Sequence, residues 1–101
     1  MRFLTRVSAG GSGGSVTRRR VRGRGAELVR VEVPAGTEAA EHSHDHEQFV
    51  EVLVGRGTLT TPDGTWPFTV GDLFHFPANL PHSASFDKDT VLLEINLPGA
   101  G

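Results

Sequence analysis

GTEAAEHSHDHEQFVEVLVG, residues 36–55, is the stretch on which the fold turns. It holds three of the chain's five histidines, His42, His44 and His46. In an extended strand His42 and His44 lie on one side, about 6.6 Å apart along the chain at a rise near 3.3 Å per residue, so their imidazoles can converge on one ion. Beyond them Gln48 to Val54 is apolar on both faces apart from Glu51, which predicts a strand lying deep in the fold. The spacing is regular on both sides: Gly36, five residues, His42, one residue, His44, three residues, Gln48, six residues, Gly55. A second series follows, Gly71, five residues, Pro77, four residues, His82.

Outward from this stretch, alternation with a period of two recurs, and no ten-residue window carries a helical apolar period. Val29, Val31 and Val33 share one face of a half-buried strand, with Arg30 and Glu32 on the other, and Pro34-Ala35-Gly36 ends it. Gly55-Arg56-Gly57 predicts a turn. Leu59 to Thr61 and Thr65 to Val70 flank Pro62-Asp63-Gly64 as a hairpin, and Pro67 puts its second arm at a sheet edge or bulge. Leu73–Phe76, His82–Phe86 and Thr90–Leu97 predict three further strands. The expected fold is all-β, with about 8 to 10 short antiparallel strands and little helix. Residues 1–15 include the Gly/Ser run AGGSGGS and are expected to be a flexible segment, with residues 16–101 as a single barrel domain.

Composition removes whole classes of function. With 101 residues there is room for one modest core and one site. The net charge of −2 argues against general nucleic-acid binding, although eight Arg face four Glu up to residue 41, and eight acids face Arg56 and Lys88 after it. No cysteine is present, so there is no disulfide, thiolate ligand or cysteine nucleophile. Tyrosine is absent too, which removes the phenol as an acid or base. The opening residues form neither a signal peptide nor a membrane span, so the expectation is a soluble, cytoplasmic protein without a membrane or nucleic-acid partner.

The two spaced series resemble the two motifs of the cupin family, and His-Ser-His-Asp-His-Glu-Gln (42–48) resembles the version common in small single-domain bacterial cupins. The likeness covers roughly residues 18 to 98 and implies a jelly-roll barrel. It also implies one divalent transition metal (Mn, Fe, Co, Ni or Zn) held by His42, His44, Gln48 and His82. Asn79 stands where the second motif has Gly, a mild change because Asn tolerates a left-handed turn position. Phe86 stands where that motif has Asn. Most cupins resembling this chain carry a carboxylate at the position of Gln48. An amide with three neutral imidazoles leaves the full double positive charge on the ion, which strengthens it as a Lewis acid and favours anionic partners. Four ligands around a six-coordinate metal leave two positions for a small molecule.

Other residues admit two readings. His46 is either a rim residue or an alternative ligand or proton carrier. His75, between Phe74 and Phe76, reads as a surface or sheet-packing histidine. Glu94 shares one face of its strand with Leu92 and Asn96; turned inward it is a desolvated carboxylate suited to general base catalysis, turned outward it is merely solvated. The last strand resembles the Asp-Val-Phe-Ser-Pro ending of cupins that open unsaturated uronate rings, with Glu94 at the Asp and Pro98 at the Pro. Asn96 replaces the Phe, and the Arg expected after Pro98 is missing. Arg18, Arg19, Arg20, Arg22 and Arg24 read as a solvated edge strand whose charges block aggregation, or as an anion-binding patch. Trp66 and Phe68 read as core or interface aromatics, or as a pocket mouth.

The function expected from these features is a metal-dependent enzyme acting on a small, oxygenated, possibly anionic substrate by Lewis-acid isomerisation, epimerisation, ring opening or cyclisation. Glu94 and His46 are its candidate catalytic residues. A quercetinase-like Fe(II) dioxygenase and a non-catalytic metal- or ligand-binding module are the alternatives. A homodimer is expected because open sheet edges need cover.

Overall fold

Val29, Val31 and Val33 are all buried, and the strand that carries them organises one half of the protein. The computed structural model describes residues 15–98. Among the described residues nine strands run in chain order: β1 Thr17–Arg22, β2 Glu27–Val33, β3 Glu38–His42, β4 Gln48–Val54, β5 Arg56–Thr61, β6 Gly64–Thr69, β7 Leu73–Phe76, β8 His82–Phe86 and β9 Thr90–Asn96. All their pairings are antiparallel. They form a five-stranded sheet, β1-β2-β9-β4-β7, and a four-stranded sheet, β3-β8-β5-β6. The expectation of a small all-β barrel of short strands is met. Among the described residues no helix is long and apolar enough to cross a membrane. The flexible segment expected over residues 1–15 lies, except for Ser15, outside the described residues.

The core lies between the two sheets. Val50 and Val52 join the β2 valines from one side; Leu59, Phe68 and Phe86 close it from the other. Phe86 packs edge-on against Phe68 at 5.7 Å between ring centroids, so the residue that departs from the family motif serves the core. Each such side chain contributes about 1.5–3 kcal/mol by leaving water, which makes the alternation itself the main source of stability.

Two sequence expectations need correction. Strand β4 is not buried on both faces, because Phe49 is 40% exposed on its outer side, and Val54 at its end is 50% exposed. An antiparallel sheet packed on one face leaves the other to solvent, and β4 obeys that rule despite its apolar outer residues. The turn expected over 55–57 is confined to Gly55, whose φ is +96°, while Gly57 lies within β5. A Cβ on Gly57 would stand 2.1 Å from the Ser85 carbonyl oxygen and 2.6 Å from the Phe68 ring, so glycine there permits close approach of β8 and Phe68. Pro67 sits on β6, an edge strand, as expected.

Candidate metal centre

His42 closes β3 and is paired across the strands with His82, which opens β8. Their ring centroids are 4.3 Å apart. His44 lies beyond the end of β3, so it does not reach the same side by strand alternation, as the sequence suggested. A loop brings it in: Asn79, in the left-handed region at φ 68°, donates its backbone N–H to the His44 carbonyl at 2.6 Å. The His44 centroid lies 5.0 Å from that of His42 and 5.5 Å from that of His82. Across the trio, potential ligand nitrogens lie within 4.8 Å of one another.

Two of the three rings are held for coordination. His42 Nδ1 lies 2.8 Å from the Ala40 carbonyl and His82 Nδ1 2.9 Å from the Leu80 carbonyl. A carbonyl only accepts, so each Nδ1 carries a proton and each neutral ring keeps its lone pair on Nε2. Burial lowers the pKa of His82, reinforced by the charge of His42 and opposed by the Leu80 hydrogen bond. Burial also lowers that of His44, helped by His42, His82 and His46. Convergent imidazoles, two of them with backbone-anchored Nδ1 protons, are the donor set that a divalent transition metal requires, so these residues fit the ion that the sequence implied.

Gln48, the first residue of β4, is buried and shares a cavity of about 120 Å³ with His42, His82, Glu94 and Arg18. Its Nε2 donates to Asn96 Oδ1 at 2.8 Å, and no described residue donates to its Oε1. Glu94 turns inward: it pairs with Val29 on one side and Val50 on the other, both buried. Burial raises its pKa; Arg18, Arg20, His42 and His46 pull it back. The alternative left open by the strand pattern is therefore decided for the interior.

His46 stays outside the trio. Its ring stacks on His44 at 5.1 Å, and its Nε2 is buried without a hydrogen-bond partner among the described residues. His75 faces outward, against Phe49 and 2.5 Å from Glu47 Oε2, as a sheet-packing histidine. Trp66 is partly exposed on β6, whereas Phe68 is core.

Strand pairing divides the arginine run. Arg18, Arg20 and Arg22 lie opposite Val31, Val29 and Glu27, on the face that β2 turns to the core, yet remain exposed at the sheet edge, while Arg19 forms an ion pair with Glu32 on the other face. Arg20 and Arg22 both bind Glu27, at 3.2 and 3.1 Å. Glu27 also accepts from Asn96 Nδ2 at 3.2 Å, and this bond, with the two guanidiniums, holds its carboxyl below the usual range. Sequence reasoning passed over Glu27. Its only signal was its place at the head of the alternating β2 strand, which says nothing of what lies across the sheet.

The family model described as "Cupin domain" matches residues 29–96. No curated protein matches the chain in sequence. Among solved structures, an RmlC-like cupin from Shewanella frigidimarina aligns with a TM-score of 0.77 at 24% identity, over 87% of this chain and 80% of that one. Ectoine synthase from P. lautus aligns at 0.76 and 22% identity, over 86% and 67%. KdgF from a Halomonas species aligns at 0.75 and 18%, over 88% and 86%. Likeness at these identities concerns the fold.

Proposed function

The chain belongs to the cupin-domain family, and from that premise we propose that it is a metal-dependent enzyme acting on a small, oxygenated, anionic molecule. His42, His44, His82 and Gln48 would hold one divalent transition metal per chain. Bound there, the ion supplies Lewis acidity toward a substrate oxygen, undiminished because no ligand carries negative charge. Glu94 moves the proton. The observation that carries this reading is the entry of its carboxylate into the cavity that His42, Gln48 and His82 also line. Burial raises its pKa above the ordinary carboxylate value, which makes it a stronger base. His46, beside the trio with a buried free nitrogen, is the second proton carrier.

Arg18 lines the same cavity, where its charge also acts on Glu94, and this positive charge favours an anionic substrate. Isomerisation, epimerisation, ring opening and cyclisation each need an oxygen polarised and one proton moved. The proposal extends to a single barrel domain over 16–101 in a cytoplasmic homodimer. Support for the dimer comes from Leu28, Phe49 and Leu73, exposed by 45%, 40% and 74%. Static light scattering checks it, and a monomer would remove it.

The deciding experiment incubates Mn-, Fe(II)- or Zn-loaded protein with a panel of enolisable acids and flavonoids, following products by NMR and oxygen by electrode. Turnover without oxygen uptake is expected. Oxygen uptake by the Fe(II) sample would replace this reading with a dioxygenase. Tight ligand binding without turnover would leave a binding module.

A further inference from the structure

Arg22, Glu27, Asn96 and Gln48 occupy one register across β1, β2, β9 and β4. Each hydrogen bond along that line has only one possible direction. Glu27, clamped by Arg20 and Arg22, is an ionised carboxylate and can only accept. Asn96 must therefore turn its amide NH2 to Glu27, as the 3.2 Å bond records. Its carbonyl oxygen is then left facing Gln48, which must offer its own NH2 across 2.8 Å. Only after these two steps is the Gln48 Oε1 free for the cavity shared with His42 and His82.

We propose that Glu27 is a positioning residue for the metal centre: acting through Asn96, it dictates that position 48 presents a neutral amide oxygen to the ion. This rests on the reading of Gln48 as a ligand. A carboxylate at position 48 would meet the Asn96 oxygen head-on. Relief by flipping Asn96 would set that oxygen against the Glu27 carboxylate instead. With Gln48 retained, the relay holds one amide orientation; with Glu27 neutralised, it could run in either direction. The charge of the metal site is thus controlled by a carboxylate that does not touch it.

A double-mutant cycle on the full-length protein tests this, with Zn2+ affinity measured by competition against a chromophoric chelator and folding checked by circular dichroism. In the native background Glu27→Gln should weaken Zn2+ binding by about 10- to 100-fold, the scale for an outer-shell partner. In the Gln48→Glu background the same Glu27→Gln change should strengthen it, because Asn96 can then reverse and donate to the new carboxylate. Removing a nearby negative charge would by Coulomb's law weaken binding in both backgrounds, so weakening in both, or no change in the native one, overturns the proposal. Adding Asn96→Ala should abolish the opposite signs; their persistence would also overturn it. Gln48→Ala separates the levels. If that variant leaves Zn2+ affinity intact, the ligand assignment fails together with the relay; if it weakens binding while Glu27→Gln does not, only the relay fails.

Discussion

His42 and His82 face one another across the β3–β8 pair, and each ring is held by the same bond, from Nδ1 to the carbonyl two residues earlier. Two histidines from different strands thereby acquire the same tautomer and leave the same nitrogen free. The anchors are backbone atoms, so the orientation is part of the barrel and exists before any ion arrives.

A pre-oriented site implies that metal and fold are separable. Purified protein should contain about one equivalent of divalent transition metal per chain, and His44→Ala or His82→Ala should reduce it to near zero while the far-ultraviolet circular dichroism stays that of a β protein. Elemental analysis showing full metal in both variants would refute the ligand assignment. Collapse of the β signal in both would show that the ion is needed for folding.

Glu94→Gln should lower turnover by about a hundredfold or more while leaving metal content unchanged. It should also raise the melting temperature at neutral pH. Burial lifts the Glu94 pKa above its ordinary 4.5, so its contribution to stability is full below 4.5 and is lost as pH rises through the folded-state value. Removing the charge removes that loss. A lower melting temperature together with an unchanged rate would place Glu94 in a structural role.

Acid should act on the metal-free protein through the opposite shift. His44 and His82 have pKa values lowered below 6.5, so the stability they contribute is full above 6.5 and is lost as pH falls from there through the folded-state values. Urea midpoints of the metal-free protein should therefore drop on acidification below 6.5, and the drop should shrink in His44→Ala. A midpoint equal in both proteins across that range would contradict the assignment.

Gly57→Ala should destabilise the barrel by about 1–3 kcal/mol through overpacking against the Ser85 carbonyl and Phe68, with metal stoichiometry retained. Chemical denaturation measures the first and elemental analysis the second. Full stability would mean that β5 and β8 can separate without cost.

What the sequence determined by itself was local. The alternation of Val29, Val31 and Val33 declared a strand with one buried face because side chains on a strand alternate with period two, whatever lies opposite. Asn79 at φ 68° and Gly55 at +96° occupy turns that residue type alone announces. The motif spacing placed His42, His44, Gln48 and His82 in one site through resemblance, and the structure brings the three histidines together.

Tertiary structure decided everything that depends on which strand lies next to which. Alternation separates Glu94 from Leu93 and Ile95 but cannot say which face is interior. That follows from the pairing of β9 between β2 and β4, which surrounds Glu94 with Val29 and Val50. Likewise Arg20 and Arg22 are the exposed edge-strand charges that the run announced, but only the placing of β1 beside β2 sets them against Glu27. The line from Glu27 through Asn96 to Gln48 joins residues 27, 96 and 48 across three strands. Its direction is dictated by hydrogen-bond chemistry, but its existence depends on strand order, a long-range property that no local pattern encodes.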